Sequence, residues 1–235
     1  MKKRKLIKVF GILSVAAMLQ AGIIYAEPVA TEATGEPAFL DADTVEYDMR
    51  TGIATATGDV LMKRGISKVT GAKAVYNTNT QAGMVEGNVI AVRGDTRITC
   101  DKATSDGQEH MMATGNVHGV QLDKTFDGEQ VDYFPKQNEY VLIENGGKLT
   151  SKDGVFTADR IEGWLTDEHY IGTGHAHLVS PPKDLEAVGD RVDYYGKEEG
   201  KAILTGNAWV VQGNNTVKGN RLTIYLAKEG NAKVE

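Results

Sequence analysis

The stretch Val69-Thr-Gly-Ala-Lys-Ala-Val-Tyr76 is one of seven copies of a pattern that recurs along the chain, and this pattern sets the architecture. The copies of this bend phrase begin at Leu40, Val69, Ile98, Phe126, Phe156, Ala187 and Val217. The third residue of each copy is small, and successive third residues lie 29, 29, 28, 30, 31 and 30 positions apart. Such even spacing indicates a protein built by repeating one structural unit of about thirty residues.

The bend phrase carries apolar or small residues at its first, third, sixth and eighth positions, as in Val69, Gly71, Ala74 and Tyr76. Strict alternation along a strand would put the first and sixth positions on opposite faces. Keeping all four inside requires one additional residue in the middle, which is a bulge or a bend. The two middle residues are polar in nearly every copy, as in Asp190-Arg191, and this suits a corner that faces solvent.

A second pattern, the Gly-Asn phrase, lies between the copies. It occurs at Thr57-Gly58-Asp59-Val60, Glu86-Gly87-Asn88-Val89, Thr114-Gly115-Asn116-Val117, Thr173-Gly174-His175-Ala176 and Thr205-Gly206-Asn207-Ala208, and in degenerate form around Asn145-Gly146-Gly147. Because Gly, Asn and Asp tolerate positive φ, the phrase predicts a turn. Each repeat is therefore expected to be a short strand, a turn and a short strand.

These patterns predict an all-β protein, since helical periodicity is absent and β-branched residues alternate along each repeat. We expect a repeat-built antiparallel β-jellyroll with a folded-over two-sheet architecture and open ends; a wide, flattened β-solenoid would share the pattern. The side chains expected inside are Leu40, Val45, Tyr47, Val60, Met62, Val69, Ala74, Tyr76, Val89, Ile98, Ala103, Val117, Phe126, Val131, Tyr133, Phe156, Ile161, Leu178, Val192, Tyr194, Val210, Val217, Leu222 and Ile224.

Most of these side chains are expected to pack against one another, but two features point towards an open apolar groove. Gly or Ala occupies the third position of the bend phrase in six of seven copies, which leaves a lane with little side-chain volume. Tyrosine occupies the last position in four of seven copies, and its amphipathic ring suits the mouth of an apolar slot. A groove and a closed core both remain open alternatives.

The composition is that of a chain able to bury a core, because 41% of the 235 residues are hydrophobic and 25% are charged. The formal net charge is −6, so no nucleic-acid partner is expected. The single cysteine, Cys100, excludes an intrachain disulfide and a Cys-rich zinc module.

Residues 1–26 have the pattern of a secretory signal peptide. Met1 to Lys8 carries five basic residues, Val9 to Leu19 is apolar, and Ala26 suits the cleavage site. An uncleaved anchor is the alternative, because the stretch from Val9 to Ala26 is 18 residues long. Residues 27–38 are expected to form a flexible lead-in, and residues 39–235 a single jellyroll domain.

Two parts of the chain resemble the LptA family, also called OstA, of periplasmic lipopolysaccharide-transport proteins. The first is Thr205-Gly-Asn-Ala-Trp-Val-Val-Gln-Gly213 with the following Val217-Lys-Gly-Asn-Arg-Leu-Thr-Ile-Tyr225. The second is Ala56-Thr-Gly-Asp-Val60 together with the bend phrase at Val69 to Tyr76. The likeness covers roughly residues 40–226, and LptC and the N-terminal domain of LptD share the same jellyroll.

The resemblance implies a periplasmic jellyroll, cleaved after Ala26, whose open apolar interior carries the acyl chains of lipid A. It also implies head-to-tail stacking into a bridge between the inner and outer membranes, with LptC-like and LptD-like jellyroll domains as neighbours. The lipid-contacting positions that it implies are Val60, Met62, Val69, Tyr76, Val89, Phe126, Tyr133, Phe156, Val210, Leu222 and Ile224. The chain departs from this picture in showing no basic cluster that would meet phosphate headgroups, and in the degenerate Gly-Asn phrase of its fourth copy.

The sequence predicts no catalytic residue, no metal site and no cofactor. His175 and His177 could share one face of a strand, but no third ligand is evident. Cys100 occupies the small inward position of its phrase, which favours a packed thiol over a nucleophile.

The alternatives to a lipid carrier are an LptC-like membrane-anchored jellyroll of the same pathway and a non-catalytic structural or adhesive surface β-solenoid. A polysaccharide-active β-helix is disfavoured, because about thirty residues is long for one rung and no acidic cluster recurs.

Overall fold

The computed structural model describes residues 38–64, 66–196, 200–226 and 232–234. The predicted signal peptide and lead-in lie outside the described residues, apart from Ala38. The described strands are β1 Ala38–Asp41, β2 Thr44–Asp48, β3 Ile53–Arg64, β4 Ser67–Asn77, β5 Gly83–Arg93, β6 Thr96–Ser105, β7 Met111–Gln121, β8 Lys124–Phe134, β9 Tyr140–Ser151, β10 Gly154–Ala158, β11 Arg160–Trp164, β12 His169–Ser180, β13 Leu185–Tyr195, β14 Lys201–Gln212, β15 Asn215–Leu226 and β16 Ala232–Val234. A single turn of 3-10 helix, Pro181–Lys183, follows β12. In this described part, no helix is long and apolar enough to cross a membrane.

The described chain falls into two compact units, an N-terminal unit of residues 38–120 and a C-terminal unit of residues 121–234. In the N-terminal unit, β3 pairs with β1, β2 and β4, and β4 to β6 follow as antiparallel neighbours in chain order. In the C-terminal unit, β8 to β16 follow in the same way, except that β10 and β11 together occupy one strand position between β9 and β12. The all-β antiparallel jellyroll is thus confirmed, and the single domain over residues 39–235 stays a prediction.

The Gly-Asn phrase forms a bulge inside a long strand, and the prediction of a turn there was wrong. In β5, Gly87 and Asn88 have φ of +86° and +50°, and both lie opposite the single residue Asp101 of β6. Two residues facing one is the geometry of a β-bulge, which bends the strand without reversing its direction. Each repeat therefore consists of two strands that are both bent midway, and hairpin turns elsewhere join them.

The bulges lie opposite the middle of the bend phrase in both units, where the sequence predicted a bend. The register shifts between Thr57 and Val60 of β3, and likewise between Thr205 and Ala208 of β14. Even the degenerate copy follows the rule, because Asn145 and Gly146 of β9 have φ of +62° and +95°. This line of bulges folds the strands over so that one face of each unit turns inward.

An aspartate covers the bulge glycine in several repeats. Asp101 lies against Gly115 and Asp190 against Gly206, so that a Cβ on either glycine would overlap the carboxylate. The bulge residue that follows the glycine also binds this carboxylate: the Asn207 amide donates to both oxygens of Asp190, at 3.2 and 3.0 Å. Glycine is thus required at these positions both for positive φ and for the close approach of a neighbouring strand.

Most of the side chains expected inside are buried, but three lie at strands where each unit ends and are exposed. Val45 and Tyr47 of β2 are 46% and 37% exposed, and Val217 of β15 is 37% exposed. Each of these residues lies on the inward-facing side of its strand. However, β2 pairs with β3 alone, and β16 pairs with β15 only at Ile224 to Leu226, so Val217 has a described neighbouring strand on one side only. Leu40, Phe156, Leu178 and Tyr194 are half-buried.

An aromatic row crosses the outer face of the C-terminal unit, where the sequence analysis had not expected one. Its members, in cross-strand order, are Phe134, Tyr140, Trp164, His169 and Tyr195, with successive ring centroids 5.7, 5.0, 5.0 and 4.4 Å apart. The Tyr140 hydroxyl donates to Glu162 at 2.8 Å, and burial together with this bond raises the pKa of Tyr140 to about 12. The Trp164, His169 and Tyr195 rings stack nearly parallel, so their faces contact one another and the row stabilises strand pairing.

Candidate lipid-binding interior

The inner face of the C-terminal unit consists of three cross-strand rows of apolar side chains. Strand register places each row across the strands from β8 to β15. The first row contains Phe126, Leu149, Phe156, Leu178, Ala187, Val210 and Val217. The second contains Val131, Ile143, Ile161, Gly172, Val192, Leu204 and Leu222, and the third Tyr133, Val141, Gly163, Tyr170, Tyr194, Ala202 and Ile224. Burial of these rows supplies the main stabilising free energy of the fold.

The inner face of the N-terminal unit is built in the same way from β3 to β6. One cross-strand row lies near the hairpin ends and contains Met62, Val69, Ala91 and Ile98. A second row lies on the other side of the bulges and contains Ala56, Ala74, Val85 and Ala103. Val60 lies opposite Gly71, Val89 opposite Cys100, and Tyr76 opposite Ala54. The row near the hairpin ends is thus mostly of large side chains, and the row beyond the bulge is mostly of alanine.

The structure brings ten of the eleven predicted lipid-contacting residues into these buried faces. Val60, Met62, Val69, Tyr76 and Val89 are buried in the N-terminal unit, and Phe126, Tyr133, Val210, Leu222 and Ile224 in the C-terminal unit. Phe156 is half-buried. Phe126, Phe156 and Val210 share one cross-strand row, whereas Leu222 and Ile224 lie in the two neighbouring rows.

At two glycines of the lane of small residues, Gly71 and Gly128, side chains of neighbouring strands occupy space that was expected to be free. A Cβ on Gly71 would lie 2.5 Å from Val85 Cγ1, and a Cβ on Gly128 would lie 2.5 Å from Ile143 Cγ2. Outside this lane, the Phe156 ring occupies the space beside Gly172, which lies just before the Gly-Asn phrase of its repeat. The side chain missing from one strand is therefore replaced by a larger one beside it, which is how close packing is reached.

Sequence reasoning missed the inward residues that precede the Gly-Asn phrase. Ala54, Ala56, Val85, Met111, Ala113, Val141, Ile143, Ala202 and Leu204 are all buried. Their signal was present, because apolar residues alternate with polar ones before the glycine, as in Ala54-Thr-Ala-Thr-Gly58. The assumption of a turn at the glycine concealed that these residues continue the same strand.

Two half-buried tyrosines give the interior a polar component that carries no charge. Tyr170 and Tyr194 lie on adjacent strands with nearly parallel rings, 6.2 Å between centroids. Burial raises the pKa of both phenols, and Glu168 adds to the shift. These groups are therefore neutral at physiological pH, which suits a surface that excludes ions.

His175 and His177 do not come together as ligands of one metal ion in the described part of the chain. His175 Nδ1 lies 2.8 Å from Asp159, whereas His177 Nε2 lies 2.8 Å from Glu186, so the two histidines bind different carboxylates. The described residues contain no group of three or more His, Cys, Asp or Glu arranged to hold a metal. Cys100 is buried, and desolvation followed by the charge of Asp101 raises its thiol pKa to about 11, so the packed thiol is confirmed.

Comparison with known proteins identifies several relatives of this chain. Lipopolysaccharide export system protein LptH of Pseudomonas aeruginosa is 24% identical over 180 residues, which cover 75% of this chain and 90% of that protein. Lipopolysaccharide export system protein LptA of Escherichia coli is 22% identical over 154 residues, covering 58% and 82%. LPS-assembly protein LptD of Pseudomonas syringae is 22% identical over 161 residues, which make up 17% of its length. The crystal structure of the P. aeruginosa LptH superimposes with a TM-score of 0.41 at 22% identity, over 45% of this chain and 80% of that one.

The family model described as LptA/(LptD N-terminal domain) LPS transport protein matches residues 68–169 and 165–230. The two matches together run through the greater part of the chain and include strands of both units. They follow the same bent antiparallel repeats that the register describes. The chain therefore belongs to the LptA/LptD N-terminal domain family of lipopolysaccharide-transport proteins.

Proposed function

We propose that this protein is a non-enzymatic carrier that shields the acyl chains of lipopolysaccharide in its apolar interior during export to the outer membrane. The observation that carries the proposal is the set of inward cross-strand rows, made of aliphatic and aromatic side chains, in a chain of this family. Each methylene left in water costs about 0.8 kcal/mol, so a lipid with several acyl chains needs such a surface to cross an aqueous compartment.

The interior suits a ligand that must slide as well as bind. The apolar pairs across neighbouring strands, such as Val131 with Ile143 and Val192 with Leu204, interact without direction, so an acyl chain can replace a side-chain neighbour without breaking a hydrogen bond. The backbone hydrogen bonds lie within the sheet and are kept while side chains change rotamer. Phe156 and Leu178, adjacent in the first row, are only half-buried and are therefore accessible to such replacement.

Site-specific photo-crosslinking in the full chain tests this proposal with matched pairs of neighbouring residues. A photoreactive phenylalanine analogue is placed at Phe156 or Thr157, and separately at Tyr76 or Val75, in the presence of radiolabelled lipopolysaccharide. Phe156 and Tyr76 face inward, whereas the adjacent residue of each pair faces outward on the same strand. We expect adducts at Phe156 and Tyr76 and at least about tenfold fewer at their neighbours, since residues alternate between faces.

Equal crosslinking at both members of a pair, or no adduct at the inward member, would contradict the carrier function. A non-catalytic structural or adhesive surface protein is then the better account. The observation that favours this second candidate is that Val85, Ile143 and Phe156 fill the space beside Gly71, Gly128 and Gly172, as a closed core requires.

We further propose that the carrier works in the periplasm and contacts the jellyroll domains of other lipopolysaccharide-export proteins through its edge strands. The exposed apolar side chains on β2, Val45 and Tyr47, support strand addition by a partner or a second copy in head-to-tail fashion. Cleavage after Ala26 is expected, and the intact mass of the protein from a periplasmic fraction distinguishes it from a retained, LptC-like anchor.

A further inference from the structure

Strand register assembles a cluster of cations on the N-terminal unit that the sequence did not suggest. Lys63 of β3 lies directly opposite Lys68 of β4, Lys68 opposite Val92 of β5, and Val92 opposite Arg97 of β6. Directly opposite residues have their Cβ atoms about 5 Å apart. Lys68 and Arg97 are two strand spacings apart, or about 10 Å. All three cationic side chains are exposed.

A fourth cation, Arg93, lies at the rim of the apolar inner face. It follows Val92 in β5, so it faces the other side of the sheet, opposite the buried Ser67 and Thr96. Arg93 comes two residues after Ala91. The row that contains Ala91 is the apolar row of the inner face that lies nearest to the hairpin turns. The Arg93 side chain is exposed. We call Lys63, Lys68, Arg93 and Arg97 the basic rim.

The basic rim carries an excess of positive charge, because its four cations stand against one nearby carboxylate, that of Asp95 in the turn between Arg93 and Arg97. None of its four members forms an ion pair with another described residue, and the Lys63 ammonium instead lies 5.7 Å from the centre of the Phe39 ring. By contrast, Lys73 pairs with Glu86 at 3.7 Å and Arg191 with Asp193 at 2.7 Å. Like charges directly opposite on adjacent strands destabilise a sheet, so the arrangement favours an anionic ligand.

We propose that the basic rim binds the phosphate groups on the headgroup of the lipid whose acyl chains occupy the inner face of the N-terminal unit. This inference rests on the proposed carrier function and adds a headgroup contact to it. When acyl chains lie against Met62, Val69 and Ala91, the headgroup extends past the hairpin ends of β3 to β6, where the rim lies. Charge-assisted hydrogen bonds from Lys and Arg to phosphate are roughly twice as strong as neutral ones.

The corresponding hairpin edge of the C-terminal unit has no such excess of cations. Its turns set one aspartate against each lysine, Asp153 after Lys152 and Asp184 after Lys183, whereas the basic rim sets four cations against Asp95. The phosphate contact is therefore specific to the N-terminal unit. This difference also supplies a matched control that removes the same amount of charge from an equivalent edge.

Lipid binding by the full chain tests the basic rim. The double variant Lys68→Gln/Arg93→Gln is compared with Lys152→Gln/Lys183→Gln, using diphosphorylated lipid A and enzymatically dephosphorylated lipid A as probes. We expect the rim variant to bind the diphosphorylated lipid at least about tenfold more weakly, because two charge-assisted contacts are lost. Its affinity for the dephosphorylated lipid and the affinities of the control variant should stay within about twofold, and added salt should reduce the difference.

Equal affinity of the wild-type chain for the two lipids, or an equal loss in both variants, would overturn the headgroup contact while leaving the carrier function intact. If neither lipid binds the wild-type chain, the carrier function fails and the rim proposal fails with it. Competition by millimolar inorganic phosphate as strong as that by the diphosphorylated lipid would assign the rim to free phosphate and likewise overturn the proposal.

Discussion

At the scale of single residues, the interior depends on glycines whose missing side chains are replaced by a neighbour. Gly172 is the clearest case, because the Phe156 ring and Ala158 Cβ occupy the space that its Cβ would need. Gly172 is not among the described glycines that have a positive φ. The effect of a substitution there on stability therefore measures side-chain packing and not backbone strain.

We expect Gly172→Ala to lower the free energy of unfolding by about 1–3 kcal/mol, the usual cost of overpacking a core. Chemical denaturation followed by circular dichroism measures this change. Gly219→Ala is the control, because the nearest atom to its added Cβ is the flexible end of Leu222 at 3.2 Å, and other copies of the bend phrase carry alanine at this position. A loss at Gly219 as large as that at Gly172 would mean that the ring contact is not what limits residue size.

At the scale of the strand, the bulge converts a sequence of alternating residues into a folded sheet. Gly206 combines the two demands on the bulge glycine, since its φ is +74° and a Cβ would overlap the Asp190 carboxylate. The backbone requirement and the steric requirement can be separated, because Gly94 has φ of +53° with no atom near its would-be Cβ.

We expect Gly206→Ala to destabilise the fold more than Gly94→Ala, which should cost about 1–2 kcal/mol from left-handed backbone alone. Adding Asp190→Ala to Gly206→Ala should bring the loss back towards the Gly94→Ala value. Thermal or urea unfolding of the three variants and of Asp190→Ala alone completes the cycle. Simple additivity of Asp190→Ala and Gly206→Ala would show that the carboxylate does not enforce glycine at the bulge.

One bulge carries a histidine where the other complete copies carry Asn or Asp, and this makes it sensitive to pH. The hydrogen bond to Asp159, followed by the negative charges of Asp159 and Asp190, raises the pKa of His175. A histidine with a raised folded-state pKa adds stability that is complete below its unfolded pKa of about 6.5 and is lost as pH rises through the folded pKa.

The melting temperature of the wild-type chain should therefore fall relative to that of His175→Asn as pH rises from about 5.5 to 8. Asparagine retains the bulge, as it does at Asn207, but does not titrate. Differential scanning calorimetry of both chains across this range gives the difference directly, and the other histidines cancel in it. Parallel pH profiles for the two chains would show that the pair contributes nothing to stability.

At the scale of the whole molecule, the proposed head-to-tail stacking depends on exposed apolar residues of an edge strand. Val45→Lys/Tyr47→Lys should shift the wild-type self-association towards monomer by at least about tenfold in dissociation constant, because charge blocks strand addition at an edge. Sedimentation velocity over a range of concentrations measures this shift. Ile66→Lys/Leu122→Lys is the matched control, since these exposed side chains lie at hairpin turns. A monomeric wild-type chain, or an equal effect in the control, would contradict stacking through β2.

Much of the inner face could be predicted from the bend phrase alone. The phase of Val69, Ala74 and Tyr76 requires a bend, and the structure places all three on one buried face. The Gly-Asn phrase was misassigned because glycine followed by asparagine has the same positive-φ signature in a turn as in a bulge. Only the pairing of two residues such as Gly87 and Asn88 with one residue of the next strand distinguishes the two.

The sequence by itself determined the repeat, the all-β class, the bend and most of the inward residues, because these follow from spacing and side-chain alternation. The tertiary structure decided which side chains fill the lane of small residues, and that Val45 and Tyr47 are exposed at an edge. It also decided that Lys63, Lys68 and Arg97 lie together. These three residues are separated along the chain, and the register of four strands brings them into one row, which no local pattern records.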